Sequence, residues 1–181
     1  MNGMTATEFA PNVTTTRAMV AQVLYRLAGS PTVLHIAAIP DADPDAWYYD
    51  AMLWASCTGI MQGYEDGTYR PNRAITRQEM ATILLRMADV KLGADLVDAA
   101  LAEIADGGSV ASWARAGVAF CYLGGIMNGM GGAHFDPTGM LTRAQLAQVF
   151  FNLYNIGMDQ AVHPGEDPEP VPEPTPMALA A

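Results

Sequence analysis

Residues 47–88 read WYYDAMLWASCTGIMQGYEDGTYRPNRAITRQEMATILLRMA, and the chain on either side repeats this stretch at fixed points. Gly63, Tyr69, Pro71, Thr76 and Arg77 recur 66 residues later as Gly129, Phe135, Pro137, Thr142 and Arg143, and 60 residues earlier as Gly3, Phe9, Pro11, Thr16 and Arg17. No gap interrupts any copy between its glycine and its arginine. Agreement at five unlike residue types in three registers is the self-similarity of a repeat architecture.

Each copy ends in a helix. After Thr16 the apolar residues Val20, Val23, Leu24 and Leu27 follow i, i+3, i+4, i+7, one stripe at helical period, and Gly29 and Pro31 stop the run. The stripe returns as Met80, Ile83, Leu84 and Met87, and again as Leu146, Val149, Phe150 and Leu153. Thr76 with Glu79 and Thr142 with Gln145 are capping boxes, while the first copy has Met19 where the partner should stand. Upstream, the turn PDADP at 40–44 places Asp43 or Asp45 to cap a helix from about Trp47 to Thr58, with Gly59 as its left-handed stop. Its stripe of Trp47, Ala51, Trp54 and Ala55 matches Trp113, Gly117, Phe120 and Cys121, with Gly125 as the second stop. Such alternation of wide and small positions suits close helix packing, and burial in a bundle is the plain reading of most of these residues.

Between the two helices of a unit, Asp66 and Gly67 favour a tight turn and Tyr69 can plug the core. The loop is acidic, but it lacks the spacing of a calcium loop, and the other copies carry Ala6 and Gly132 at the Asp66 position, so no metal is expected. Residues 89–103 read as a connecting helix, with Leu92, Leu96, Ala99 and Ala100 near helical spacing. From 157 the chain becomes a Pro- and Glu-rich tail, expected to be extended and disordered. The expected organisation is therefore a partial unit at 1–30, a unit at 39–89, a connecting helix at 90–103, a unit at 104–156 and a tail at 157–181.

Composition narrows the function. A net charge of −10 with one lysine argues against nucleic acid, which needs clustered positive charge. No apolar run is long enough to cross a membrane, and the N-terminus lacks the basic and apolar regions of a signal peptide, so the start is expected to be internal. Cys57 and Cys121 occupy non-equivalent repeat positions and read as small buried hydrophobes rather than as a disulfide. An enzyme is disfavoured: no Ser/His/Asp set recurs, and His35, His134 and His163 are scattered. No cofactor is implied.

The chemically informative residue follows each cap. Arg17, Arg77 and Arg143 stand in the first helical position, where a cation opposes the helix dipole at a cost of about 0.3–1 kcal/mol. Stability alone would favour an acid there. One reading makes the guanidinium and the free helix amides a joint receptor for a carboxylate or phosphate. The other pairs each arginine with an acid of a neighbouring unit, Asp41 and Asp106 being the candidates.

Taken together, the run W-Y-Y-D-A-M-x-W-A…G-I-M-Q-G-Y-E-D-G-T-Y-R-P-N-R-A-I-T-R-Q-E-M-A resembles an S-layer homology (SLH) domain, and D-G-G-S-V-A-S-W-A…G-G-I-M-N-G-M-G-G…T-R-A-Q-L-A resembles another. The likeness spans about residues 14–154, with 1–11 fitting as the loop of a first unit. It implies an all-α protein of tandem helix-loop-helix units in a pseudo-threefold arrangement around a central helix bundle, the first unit incomplete. It further implies non-covalent anchoring of a secreted surface protein to the bacterial cell wall, outside the cell, through an acidic secondary wall polysaccharide that often bears pyruvate ketals. The groove residues carried over are Arg17, Arg77, Arg143, Trp47, Trp113, Asp41, Asp106, Gly3, Gly63 and Gly129. Ile39 and Ile104 replace the phenylalanine usual before each aspartate, and the first unit lacks a first helix with its tryptophan and aspartate, so at least one groove is expected to be incomplete. For Trp47 and Trp113, burial in the core stays open beside stacking on sugar. The alternative function is a self-assembly module whose grooves receive carboxylates from another surface-layer chain.

Overall fold

The computed structural model describes residues 8–34, 37–127, 129 and 131–157; Gly3 and the tail from 158 onward lie outside the described residues. Six helices carry the fold: α1 (Arg17–Leu27), α2 (Tyr49–Cys57), α3 (Arg77–Ala88), α4 (Ala94–Ala102), α5 (Arg115–Leu123) and α6 (Arg143–Asn155). Among the described residues the only strand-like pairings are three isolated bridges.

Those bridges hold the repeats together. Thr16 pairs with Ala74, Thr76 with Met140, and Thr142 with Thr14, so each copy joins the next and the last joins the first. The backbone bonds close the same cycle: Ile75 donates to Thr15, Leu141 to Ile75, and Thr15 to Leu141, at 2.9, 3.0 and 2.7 Å. Thr15, Ile75 and Leu141 are fully buried at this hub. The β-branched N-cap threonines Thr16, Thr76 and Thr142 stand in extended backbone just after the hub, so the chain bonds sideways before it turns into each helix. Pseudo-threefold organisation is thus carried by peptide groups.

The helix contacts also cross unit boundaries. α2 packs on α1 and α5 on α3, each first helix lying on the second helix of the preceding unit, while α4 covers α5. Small residues permit the approach. A Cβ built on Gly117 would stand 2.7 Å from the Thr82 nitrogen, inside any normal contact distance. The stripes are buried at Val20, Leu24, Met80, Ile83, Leu84, Leu146, Val149 and Leu153, and soften toward the helix ends, where Leu27 is exposed. Both capping boxes are present, and Thr16 accepts from the Met19 amide without a reciprocal bond. Gly59 and Gly125 take the left-handed stop at φ 74° and 64°. Ile39 and Ile104 are buried, as an apolar exchange requires.

Four expectations need correction. Helix α2 begins at Tyr49, because Asp43 accepts the Asp45 amide and tight turns occupy the chain up to Tyr49; no aspartate caps the helix. Trp47 and Trp113 therefore precede their helices, and both are exposed, at 62% and 56%. Cys121 is buried, but Cys57 faces solvent at the end of α2, and both thiols are free. On α4 the buried face is Val97, Ala100 and Leu101, an i, i+3, i+4 set one residue out of step with the expected one, leaving Leu96 and Ala99 outside.

Candidate functional site

Arg17, Arg77 and Arg143 are nearly buried, at 4–5% exposure. The helix amides beside them are already occupied. The Arg17 amide donates to Arg73 O, Ala18 to Pro71 O and Met19 to the Thr16 hydroxyl, and the same cycle binds Arg77 to Gly139 and Gln78 to Pro137, then Arg143 to Val13 and Ala144 to Pro11. The helix-start amides expected to receive an anion are closed by the neighbouring loop, because the threefold ring delivers carbonyls to them.

Each guanidinium reaches the same loop. Nε of Arg17, Arg77 and Arg143 donates to the carbonyls of Tyr69, Phe135 and Phe9, at 2.8, 2.6 and 2.9 Å. Arg77 lies 4.8 Å from the Phe135 ring centre and Arg143 4.9 Å from that of Phe9. Burial pushes the Arg17 and Arg77 guanidinium groups down from the usual arginine range, with nearby Tyr64 and Glu79 partly opposing this at Arg17. Asp41 and Asp106 grip the loops from the other side: Asp41 accepts the Tyr69 and Arg70 amides at 2.8 and 2.7 Å, and Asp106 those of Phe135 and Asp136 at 2.7 and 2.8 Å. One peptide segment is thus held by an arginine on its carbonyl and an aspartate on its amide. The expected pairing of aspartate with arginine is replaced by this shared hold. Gly63 and Gly129 serve the same loops, since a Cβ would meet Thr68 O at 3.0 Å and His134 O at 2.7 Å.

A groove of about 640 Å³ opens between the three copies. It brings together Arg17 from the first, Gly63 from the loop of the second and Trp113 from the third, with Tyr64, Thr82 and Arg86 on its walls. Asp41 stands behind the loop rather than in the groove. Tyr64 is ringed by Arg17, Arg70 and Arg73, whose guanidinium carbons lie 4.9, 4.2 and 5.3 Å from its ring centre. With Arg86, four of the chain's nine basic side chains gather here in a protein of net charge −10. Two of them are neutralised, Arg70 by Asp66 and Arg73 by Glu79. The other two meet neutral oxygens: Arg17 Nη2 donates to Gln62 O at 2.7 Å, and Arg86 Nη2 to Gln62 Oε1 at 2.9 Å. Burial and the neighbouring Arg17 both push the Arg86 guanidinium down, as expected of two cations sharing a partly dry space.

The equivalent places differ. Trp47 lies beside α1, where Gln22, with its amide oriented to satisfy both neighbours, donates to Trp47 O at 3.0 Å and accepts from Arg26 at 3.1 Å. Arg26 and Trp47 thus repeat Arg86 and Trp113, but the loop that would complete this groove includes Gly3 and is outside the described residues. Beside Arg77, the position of Arg86 is taken by Asn152, which donates to Ile126 O at 3.0 Å. Sequence reasoning missed Arg86, Tyr64 and the arginines around it. Arg26 and Arg86, 60 residues apart like Arg17 and Arg77, were the available signal.

Comparison with known proteins bears on the family of the chain. The S-layer homology domain family matches residues 38–81 and 103–147. The chain is 33% identical over 154 residues to an amylopullulanase of Thermoanaerobacterium thermosulfurigenes, covering 84% of this chain and 8% of that protein. It is 32% identical over 113 residues to the surface-layer 125 kDa protein of Lysinibacillus sphaericus, covering 61% and 9%, and 27% identical over 143 residues to the S-layer protein sap of Bacillus anthracis, covering 79% and 16%. The chain spans a small share of the length of these relatives.

Proposed function

This chain carries S-layer homology domains, and from that premise we propose that it is a cell-surface anchoring module that holds an acidic wall polysaccharide in the groove of Arg17, Gly63 and Trp113. The observation that supports this reading best is the pair Arg17 and Arg86, two guanidinium groups in one groove whose hydrogen-bond partners are neutral oxygens. A carboxylate entering between them would accept charge-assisted bonds worth about 1.5–3 kcal/mol each and relieve the repulsion between like charges. A pyruvate ketal presents such a carboxylate on a sugar ring. Exposed Trp113 on the same wall offers an aromatic face for that ring.

The relatives named as enzymes match this chain over a small fraction of their length, so the shared part is read as their anchor and their chemistry is not carried over. In this reading the groove holds the anchored protein at the bacterial cell surface. The test is a pull-down with purified wall polysaccharide before and after removal of its acidic substituents. Binding that needs those groups supports the reading. Binding that ignores them, or capture only of another surface-layer chain, would replace it with the self-assembly alternative.

A further inference from the structure

Gln62 supplies both of the neutral oxygens that meet the terminal nitrogens of the groove's two arginines: its backbone carbonyl accepts from Arg17 Nη2 at 2.7 Å and its Oε1 from Arg86 Nη2 at 2.9 Å. The two oxygens are not held alike. On one side of residue 62, Met61 is buried and its amide donates to Ala55 O at 2.9 Å; on the other, a Cβ on Gly63 would crowd Thr68 O at 3.0 Å and the Tyr64 amide donates to the same oxygen at 2.8 Å. The carbonyl on Arg17 is therefore a fixed part of the groove wall. The Gln62 side chain is exposed, its bond to Arg86 lies at the surface, and a change of rotamer removes it without moving the loop.

The chemistry of the movable oxygen decides what can replace it. Asp66 and Glu79 also line the groove, but they are taken by Arg70 and Arg73, so an amide rather than a carboxylate faces Arg86. A sugar hydroxyl that took the place of Oε1 would exchange one neutral acceptor for another and gain almost nothing, whereas a carboxylate oxygen would form a charge-assisted bond about twice as strong. We propose that the Gln62 side chain is a displaceable stand-in for the ligand carboxylate: it caps Arg86, is expelled when an acidic sugar enters, and so residue 62 sets the affinity of the groove. This rests on the glycan-binding reading above and adds to it a residue that opposes binding.

The test is a calorimetric titration of the full chain with purified acidic wall polysaccharide, comparing the parent with Gln62→Ala and Gln62→Glu. Both variants keep the backbone carbonyl on Arg17. Gln62→Ala should bind about 2- to 10-fold more tightly than the parent, the factor that breaking one hydrogen bond takes from the parent's affinity. Gln62→Glu places a carboxylate of the chain's own on Arg86 and should bind about tenfold or more weakly than Gln62→Ala. Because an added negative charge repels an anionic polymer from any nearby position, the deciding comparison is made in the Arg86→Ala background, where Gln62→Ala should no longer tighten binding. A second readout uses the parent alone: at saturation the side-chain amide resonances of Gln62 should move toward those of a solvent-exposed glutamine. If Gln62→Ala binds no better than the parent, if its gain persists without Arg86, or if the Gln62 resonances stay in place at saturation, the proposal is overturned while the groove reading stands. A parent that does not bind the acidic polymer overturns both.

Discussion

Arg86→Ala is expected to leave folding intact and to impair binding of an acidic glycan, and the structure provides both halves of that expectation. Arg86 stands in the last turn of α3, where a cation gains about 0.3–1 kcal/mol from the helix dipole, and it makes one exposed bond to Gln62 Oε1, worth about 0.5–1.5 kcal/mol. Against these stand burial and the adjacent Arg17, which both disfavour its charge, and the better helix propensity of alanine. The balance is within about 1 kcal/mol of zero. For binding, the loss of one charge-assisted bond of about 1.5–3 kcal/mol corresponds to about 10- to 150-fold in Kd. Arg17→Ala serves as the contrast, because its Nε also holds the Tyr69 carbonyl and its loss should lower both stability and affinity. Calorimetric titration with soluble wall polysaccharide, paired with thermal melts of both variants, measures the two quantities separately. An Arg86→Ala chain that binds normally but melts several degrees lower would refute the reasoning and make Arg86 a structural residue.

Other outcomes follow from the same geometry. Gly117→Ala should cost about 1–3 kcal/mol or more in a denaturant titration, since the new methyl would meet the backbone of Ala81 and Thr82 at 2.7–2.8 Å and force α5 off α3. Asp41→Ala should hand the exposed Tyr69 and Arg70 amides from the carboxylate to water, costing about 0.5–1.5 kcal/mol for each bond, and hydrogen exchange should report faster exchange at those two amides while the α6 helix is unchanged. Burial opposes ionisation of Asp106 and Glu79, but backbone amides at both, joined at Glu79 by Arg73 and Tyr64, outweigh it and hold the carboxyls below the usual range. Groups with depressed folded pKa values contribute stability above the ordinary carboxylate range and lose it as pH falls through the folded value, so melting temperature should hold near neutrality and drop below about pH 4. A melting temperature flat through the acid limb would contradict the loop-holding role of these carboxylates.

The helices were legible because their causes lie within a few consecutive residues. Thr76 and Glu79 bond across three positions, and the stripe Met80, Ile83, Leu84 repeats at the helical period, so cap and buried face follow from local spacing alone. The repeat pattern likewise implied that the arginines share one role. What that role is could not be read, because Arg17, Arg77 and Arg143 bond to carbonyls 52, 58 and 134 residues away. Every residue carries the same peptide carbonyl, so no residue type marks it as a partner. The tryptophans were misplaced for a related reason: period alone put Trp47 and Trp113 on an α-helix face, whereas turns at 43–48 and the 3-10 helices Gly107–Ser109 and Ser112–Ala114 precede α2 and α5 and leave both indoles outside. The groove is the most strongly tertiary feature of all. Arg17, Gly63, Arg86 and Trp113 come from three copies of the repeat, and only the closed ring of backbone bonds through Thr15, Ile75 and Leu141 sets them around one space.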